Sequence, residues 1–468
     1  MKDLGYFLEP KSVAVVGVSS SAFGFSWGRQ VFENLVATNF PGAIYPVTKN
    51  AQEISGLKAY PDVQSIPDSV DIAAVAVPVD LVPQVIEDCR IKGVKGVILI
   101  TAGYAETPQG VRLQQELTMT AKSSGMHIVG PNVSGIFNMS ANFNVTPMNP
   151  QFVRDTPITV VSQGGYAIND LIYRGSDKNM GAGQYIHTGN EADLTCTDFV
   201  EFVGADPGVK VILMYIEGLR DGRRFIEVAK QVTQEKPIVV IKGGKTAAGA
   251  KAASSHTGAL AGSDAIFDAA LKRANVIRSP KIELMLDLGH AFLELPPLRG
   301  HRIAVATMGG SWGVLICDAL NRNGLVVPEL PPSVQDGLHK GGFPYWASTR
   351  NPIDLGAAGS ALYGQRLSTL FDPVIGNESV DALFVHGFGM SGYMGNMTED
   401  VLKYFRSEEE KMLRDVYSLM HKHDKPVILC SYLFQGSGDG YRIHHDVEDA
   451  ATILGKLREY HSALNRDK

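Results

Sequence analysis

The chain has 468 residues, of which 44% are hydrophobic and 20% charged, and its formal net charge is -6 at pH 7. This length predicts about three domains, and the acidic balance argues against a general binder of nucleic acid or membrane surfaces. No apolar run is long enough to span a bilayer, and the start "MKDLGYFLEPKS" lacks the apolar core of a secretory signal. The four cysteines are far apart, without a CxxC pair, so we expect a cytoplasmic protein with reduced cysteines and no metal site.

The first part of the chain alternates short β-branched runs with amphipathic stretches. The predicted strands are "SVAVVGV", "AIYPV", "DIAAVAVP", "GVILITAG" and "MHIVGPN". The alternation predicts an α/β fold, with a parallel sheet and crossover helices in a Rossmann-like domain over residues 1–140. The next stretch, "SANFNVTPMNPQFVRDTP", is polar, contains prolines and has neither period, so we expect a domain boundary there.

Two further sets of predicted strands follow. The second set is "ITVVSQGG", "GQYIHTGN", "VILMYIEG" and "PIVVIKGG", and the third is "RIAVATMGG", "LVVPEL", "ALFVHGF" and "KPVILCSYL". In both sets a strand runs into a Gly-Gly turn and then a helical pattern. We therefore predict two flavodoxin-like domains, over residues 150–295 and 300–468.

The turns after the first strands of the Rossmann-like domain predict a nucleotide site. Gly17, Ser19 and Ser20 form a small-residue turn of the kind that holds phosphates on backbone N–H groups, although the spacing is not GxGxxG. The second strand leads to Lys49, where a dinucleotide-binding fold has an acidic residue. A lysine there suits a ribose phosphate, which favours CoA or NADP over NAD. A solvated Lys49 without a ligand is the alternative.

The other strands of this domain end in similar positions. Pro78 ends the third strand, where it could line a flat pocket for an adenine ring. All of these strand ends meet at the carboxyl edge of the predicted sheet, which is where open α/β sheets bind ligands. The predicted cofactor-binding residues are Gly17, Ser19, Ser20, Lys49, Val77, Pro78, Thr101, Ala102, Gly103, Glu106 and Asn132.

A single histidine lies inside an unusually small-residue segment of the second domain. Of the 22 residues from Gly243 to Asp264, 15 are Gly, Ala or Ser, and His256 is near the centre of this run. We predict a flexible loop, followed by a helix that begins at Ser263 and Asp264, both good N-cap types. Neutral imidazole is a competent nucleophile at neutral pH, so His256 is the candidate catalytic residue.

A nucleophilic histidine needs a partner and, if it carries phosphate, an anion site. Glu217 ends the neighbouring strand "VILMYIEG" and could hold the imidazole. Ser162 and the N–H groups of Gly164, Gly165 and Tyr166 lie where a helix begins, a position that favours a phosphoryl group. Without His256, a plain tight turn would be the better interpretation of this glycine pair.

Several segments resemble a known family. "YIEGLRDGRRF", "SHTGALAGSD" and "NPIDL" are similar to segments of the alpha subunits of NDP-forming acyl-CoA synthetases, which include the ADP-forming acetate–CoA ligases of the succinyl-CoA synthetase superfamily. The resemblance implies a CoA-binding domain followed by two succinyl-CoA synthetase-like domains. It implies the reversible reaction of acyl-CoA, phosphate and ADP to a small carboxylic acid such as acetate, CoA and ATP. His256 would carry the phosphoryl group on a swinging loop, and Glu217 would orient it.

The resemblance also implies a missing partner. The chain has no GxxxxGK[ST] motif, and we recognise no ATP-grasp domain in it. We therefore expect a beta subunit with an ATP-grasp domain that binds Mg-ADP or Mg-ATP, in an α2β2 assembly.

Three positions differ from the family pattern or are unusual. Gly164 replaces a serine of the family's "SQSG", and Val133 replaces the cysteine of "GPNC". His187 in "HTGN" is unusual, and we interpret it as a polar residue at a strand end. Two other functions remain open, a non-catalytic CoA or acyl-CoA sensor and an NADP-linked oxidoreductase, although the absence of GxGxxG weakens the second.

Overall fold

The computed structural model describes residues 1–21, 25–178, 180–257, 263–358, 366–389, 396–434 and 441–466, with only the backbone at 177, 254–257 and 465–466. These residues fall into two compact units, Met1–Gly289 and His290–Lys468. Both units consist of largely parallel sheets with helices, which confirms the predicted α/β fold class. The predicted division into three domains stays a prediction. Within the described ranges, no helix combines the length and the apolar character needed to cross a membrane.

The first sheet confirms the five strands predicted at the start of the chain. Its five strands are parallel and lie in the order β2-β1-β5-β6-β7. The strands of this region, including a separate short hairpin of β3 and β4, are β1 (Ser12–Val16), β2 (Ala43–Val47), β3 (Glu53–Ile54), β4 (Leu57–Lys58), β5 (Ile72–Val75), β6 (Gly96–Leu99) and β7 (His127–Val129). The helices are α1 (Trp27–Ala37), α2 (Val82–Lys92) and α3 (Val111–Ser124), with 3-10 turns at Gly5–Phe7 and Val79–Leu81.

The second sheet has seven strands in the order β14-β13-β12-β10-β11-β8-β9. Its strands are β8 (Ile136–Asn138), β9 (Phe143–Asn144), β10 (Ile158–Ser162), β11 (Gln184–His187), β12 (Val211–Ile216), β13 (Ile238–Lys242) and β14 (Ile277–Arg278). The helices are α4 (Tyr166–Asp177), α5 (Cys196–Ala205), α6 (Gly222–Val232), α7 (Ala247–Thr257), α8 (Asp264–Arg273) and α9 (Met285–Glu294), with 3-10 turns at Pro150–Phe152 and Ile282–Leu284.

The polar stretch at which we expect a domain boundary contains a short strand that the sequence pattern did not predict. β9 (Phe143–Asn144) pairs with β8, and β8 pairs antiparallel with β11. The segment is polar yet buried, because the Asn144 side chain accepts from the N–H and hydroxyl of Thr146 and donates to the carbonyl of Met148 at 3.0 Å. Internal hydrogen bonds of this kind remove the cost of burying a polar side chain.

The loop predicted around His256 was wrong in part. Residues 247–257 form α7, and His256 is its second-to-last residue; the side chain of His256 lies outside the described part of the structure. Five of the eleven residues of this helix are alanine, the residue with the highest helix propensity. Thr246 also caps its start, since the Thr246 hydroxyl accepts from Gly249 N–H at 3.0 Å. Residues 258–262 lie outside the described residues, and α8 begins at Asp264 as predicted.

The second unit contains a third sheet of five parallel strands in the order β16-β15-β17-β18-β19. They are β15 (Ile303–Thr307), β16 (Ile353–Asp354), β17 (Ala382–His386), β18 (Val427–Cys430) and β19 (Ile443–His444). The helices are α10 (Gly310–Arg322), α11 (Pro332–Lys340), α12 (Leu355–Ala358), α13 (Leu367–Ile375), α14 (Glu399–His423) and α15 (Val447–Arg466).

The predicted strand "LVVPEL" of this unit was wrong. Only Val326 forms a bridge, with Arg302, and "NPIDL" supplies the edge strand β16 instead. Pro328, Pro331 and Pro332 follow Val326 and have no N–H group to donate to a strand ladder.

One strand order recurs in all three sheets. The five parallel strands in each lie in the order second, first, third, fourth, fifth along the chain, which is the flavodoxin-like order. Ligands in such sheets bind at the carboxyl ends of the first and third strands, where the order reverses. In the second sheet these two strands are β10 and β12.

Candidate functional site

A cleft of about 1040 Å³ opens in the first unit along the carboxyl ends of strands from two sheets. One wall comes from the first sheet and the start of α1, and the other from the second sheet and α7. The lining residues are Phe25, Ser26, Trp27, Ala76, Val77, Ile100, Thr101, Ala102, Asn132, Val133, Ser134, Gly164, Gly165, Tyr166, Ala167, His187, Tyr215, Glu217, Gly244, Gly249, Ala252 and Ala253.

The turn between β10 and α4 presents backbone donors to this cleft. Gly165 is the N-cap of α4 and gives the helix no side-chain cap. Among the described residues, the N–H groups of Gly165, Tyr166 and Ala167 have no protein acceptor. The N–H of Gly164 is already bonded to the Ser162 hydroxyl at 3.2 Å, so the free donors lie one residue later than predicted. Free N–H groups at a helix N-terminus are well placed to donate to an anion.

Ser162 stabilises the turn between β10 and α4. Its side chain is fully buried, and its hydroxyl donates to the carbonyl of Gly164. The hydroxyl therefore closes the turn, and Ser162 is not among the residues that line the cleft. Gly164 packs against a ring, because a Cβ there would lie 2.8 Å from Cε1 of Tyr215. A serine at this position would require the Tyr215 ring to move.

Glu217 reaches the same cleft from the end of β12. It is only 5% exposed, and the Tyr215 hydroxyl donates to its Oε1 at 3.0 Å. Burial and the neighbouring Glu217 raise the pKa of Tyr215, so the hydroxyl keeps its proton and remains a donor. The side chain of Gln163 accepts from the Glu217 N–H at 2.7 Å and fixes the backbone at this strand end.

A buried lysine joins the end of β12 to the end of β13. The Lys242 ammonium donates to the carbonyl of Glu217 at 2.6 Å and to the carbonyl of Gly243. Burial lowers the pKa of Lys242, partly offset by the attraction of Asp264 and Glu217. These bonds fix the start of the segment that leads into α7, the helix that contains His256.

The predicted cofactor-binding residues divide into two groups. Val77, Thr101, Ala102 and Asn132 line the cleft, and the Thr101 hydroxyl donates to the carbonyl of Val77 at 2.7 Å. The residues that do not line it are Gly17, Ser19, Ser20, Lys49, Pro78, Gly103 and Glu106. Of these, Ser20, Lys49 and Pro78 are exposed at the surface.

Two members of the second group have a structural role. A Cβ at Gly17, where φ is +95°, would lie 2.3 Å from the carbonyl oxygen of Ala76, so only glycine fits between β1 and β5. Glu106 accepts from the N–H groups of Gly103 and Tyr104 and from the Asn190 amide. Burial alone would raise the pKa of Glu106, but these donors lower it, so the carboxylate stays charged and holds its own loop.

Two family models match the parts of the chain that form this cleft. The model described as a CoA binding domain matches residues 11–139, and the model described as a succinyl-CoA ligase like flavodoxin domain matches residues 155–292. The alpha subunit of acetate–CoA ligase [ADP-forming] II from Pyrococcus furiosus is 39% identical over 373 residues, 79% of this chain and 80% of the relative. The chain belongs to the family of alpha subunits of ADP-forming acetate–CoA ligases.

A solved structure and a relative with another substrate extend this comparison. The dinucleotide-forming acetyl-coenzyme A synthetase 1 of Ca. Korarchaeum cryptofilum, in complex with phosphate and ADP, is 31% identical with a TM-score of 0.84, over 99% of this chain and 98% of that chain. The 4-hydroxybutyrate–CoA ligase [ADP-forming] of Nitrosopumilus maritimus is 34% identical over 80% of this chain and 53% of its own length. The predicted family and fold, including the CoA-binding and succinyl-CoA ligase-like domains, are thus confirmed.

Two residues to which the sequence assigned no role in the site also line the cleft. They are Tyr215, which donates to the Glu217 carboxylate, and His187, which lies against Gly165. Gln163 does not line the cleft but fixes the Glu217 backbone. Tyr215 is two residues before Glu217 on one strand, so strand periodicity places both side chains on one face and could have identified it. No group of three or more His, Cys, Asp or Glu side chains in the described ranges is arranged to hold a metal ion.

Proposed function

We propose that this chain is the alpha subunit of an acid–CoA ligase that converts an acyl-CoA, phosphate and ADP reversibly into a carboxylic acid, CoA and ATP. Val77, Thr101, Ala102 and Asn132 hold the CoA end of the substrate. The free N–H groups of the β10–α4 turn bind phosphate. His256 carries the phosphoryl group. Acetate or another small carboxylate is the acid.

The chemistry proceeds in three transfers. An oxygen of inorganic phosphate attacks the thioester carbon, the C–S bond breaks, and CoA leaves as a thiolate that takes up a proton. A ring nitrogen of neutral His256 then attacks the phosphorus of the acyl phosphate, and the carboxylate leaves. Finally, a terminal phosphate oxygen of ADP attacks the phosphohistidine, which forms ATP and regenerates the imidazole.

This proposal rests on one observation: groups suited to phosphate transfer and residues predicted to bind CoA line the same cleft. Three free N–H donors at the start of α4 and the Glu217 carboxylate line the cleft together with four predicted CoA-binding residues. The donors stabilise the phosphate charges, and a carboxylate beside them favours positive charge on an imidazole. A cleft of about 1040 Å³ exceeds the upper end of the range typical of ligand pockets, which is consistent with two substrates.

The nucleotide half of the reaction belongs to a partner in this proposal. A beta subunit with an ATP-grasp domain binds Mg-ADP or Mg-ATP, and the two subunits assemble as α2β2. The relative from Pyrococcus furiosus is named a subunit alpha, which supports a partner chain here as well. We propose the cytoplasm as the location, since Cys89, Cys196, Cys317 and Cys430 are all unpaired.

The test is CoA release by the chain co-purified with its native partner. Acetyl-CoA and other short acyl-CoA esters are supplied with phosphate and Mg-ADP, and free thiol and ATP are measured together. We expect equal amounts of thiol and ATP, both dependent on phosphate, and neither from a His256→Asn variant. A His127→Asn variant, which changes a histidine outside the cleft, serves as the matched control. Binding of CoA without thiol release from any ester would overturn the proposal and favour a CoA sensor.

A further inference from the structure

The histidine at the end of β11 lies under the phosphate-binding turn. His187 is 6% exposed, and a Cβ on Gly165 would lie 2.9 Å from its Cε1 atom. The ring therefore supports the N-cap residue of α4 directly. The sequence alone suggested only a polar residue at a strand end.

The hydrogen bonds of His187 define its protonation. The backbone N–H of Ser134 donates to Nδ1 at 2.7 Å, so Nδ1 carries a lone pair and no proton. The proton is then on Nε2, which lies 3.1 Å from the carbonyl oxygen of Gln163 and donates to it. The neutral ring thus joins two backbone segments. One is the turn that contains Asn132 and Ser134, and the other is the turn that binds phosphate.

Gln163 extends this connection to the catalytic carboxylate. Its side-chain amide is 4% exposed and pairs with both backbone groups of Gly218, accepting at 3.2 Å and donating at 2.8 Å. The same Oε1 accepts from the N–H of Glu217 at 2.7 Å. The main chain of Gln163 is therefore held by His187, and its side chain holds the backbone of Glu217.

We propose that His187 is a positioning residue for phosphoryl transfer, which rests on the proposed function. Through its two ring nitrogens, His187 sets the distance between the turn that contains Asn132 and Ser134 and the turn that binds phosphate. Through Gln163, it aligns Glu217 with both turns. The thioester carbon, the phosphate and the carboxylate must be aligned for reaction, and a displacement of 1 Å can lower the rate about 100-fold.

The test compares two substitutions of His187 in the chain co-purified with its partner. His187→Leu fills the space without hydrogen bonds, whereas His187→Gln keeps an acceptor and a donor on one planar group. We expect His187→Leu to lower kcat for phosphate-dependent CoA release about 10- to 100-fold. His187→Gln should stay within about fivefold of the wild type. The affinity for CoA, measured by calorimetry, should change less than about twofold in both variants.

The outcomes separate this inference from the proposed function. If the wild type releases no CoA, the proposed function fails. If the wild type is active and His187→Leu keeps its kcat, the positioning role is wrong. It is also wrong if His187→Gln loses as much activity as His187→Leu, since the hydrogen bonds then have no effect. Should His187→Leu not fold, His187→Gln decides alone, because a tenfold or greater loss of kcat would contradict the role. His127→Leu is the matched control and should retain full activity.

Discussion

The second and third sheets share a scaffold but differ in what their strand ends present. Both have the same strand order, and in both a Gly-Gly pair follows the first strand, Gly164–Gly165 after β10 and Gly309–Gly310 after β15. Neither pair gives its helix a side-chain cap. The neighbouring strand ends in Ile216 and is followed by Glu217 in the second sheet, and it ends in His386 in the third.

The side chains around the two turns make the difference. In the second sheet the turn and Glu217 line an open cleft. In the third, His386 is 3% exposed, and the Trp312 ring covers it with ring centroids 4.6 Å apart. The His386 Nδ1 is 3.3 Å from the Thr307 hydroxyl, whereas its Nε2 has no partner among the described residues. The same strand order thus supports a turn whose backbone donors face an open cleft in one place and a packed aromatic group in another, so function depends on the side chains and not on the fold.

The largest expected effect comes from removing the charge of Glu217. Glu217→Gln keeps the size of the side chain but no longer favours positive charge on an imidazole. We expect the rate of phosphate-dependent CoA release to fall about 100-fold or more. Initial rates of thiol release measure this, with Glu235→Gln, an exposed glutamate of the same domain, as the control. Full activity of Glu217→Gln would show that the carboxylate at this strand end has no role in the reaction. The strand ends of the second and third sheets would then not differ in this function.

The glycine pairs allow a direct test of the comparison. In Gly165→Ala the new methyl group would meet the His187 ring at 2.9 Å and Ser134 Oγ at 3.2 Å, whereas in Gly309→Ala the nearest atom is Cδ1 of Trp312 at 4.0 Å. We expect Gly165→Ala to raise KM for phosphate about tenfold and to lower stability by about 1–3 kcal/mol through overpacking. Gly309→Ala should match the wild type. Phosphate titration and thermal unfolding of both variants check this. Equal KM values for phosphate and equal stabilities of the two variants would refute the proposed difference between the two glycine turns.

The smallest effect is expected at His386. Burial lowers the pKa of His386 from its usual 6.5 to about 4. Between these two values the unfolded chain binds a proton that the folded ring does not, so folded stability falls as pH decreases from 6.5 to 4. His386→Phe removes this loss and the unpartnered nitrogen.

Thermal unfolding at two pH values measures this effect. At pH 7 the unfolding temperature of the second unit in His386→Phe should equal that of the wild type or exceed it by about 2–4 °C. This difference in unfolding temperature should be larger at pH 5. His301→Gln, an exposed histidine of the same unit, is the control. A difference in unfolding temperature that is no larger at pH 5 than at pH 7 would contradict the buried, neutral state of His386.

The sequence predicted those parts of the fold that follow from local patterns. Strands such as β1, β10 and β13 are buried throughout and followed by glycine turns, so their apolar runs identified them. The hairpin of β8 and β9 was missed because its polar residues are satisfied by long-range pairing and internal bonds that no local pattern reveals. The helix α7 was missed because glycine and serine suggested a loop, while its alanines favour helix.

The site was predictable to a similar extent. Glu217, Gly165 and Tyr166 were identified because strand ends and helix starts are visible in the sequence, and the structure brings them into one cleft. The structural roles of Glu106 and Ser162 were not predictable, because their hydrogen-bond partners depend on loop geometry. The contacts of His187 with Ser134 and Gln163 join segments 53 and 24 residues apart, which only the folded chain brings together.

The central claim is that His256 carries a phosphoryl group between two sites, and one measurement tests it directly. The chain, with its partner, is incubated with acetyl-CoA and inorganic phosphate in the absence of ADP, and its intact mass is determined before and after mild acid. We predict a mass gain of one phosphoryl group that acid removes and that a His256→Asn variant lacks. An unchanged mass in a preparation that releases CoA, or an equal gain in the variant, would contradict the account.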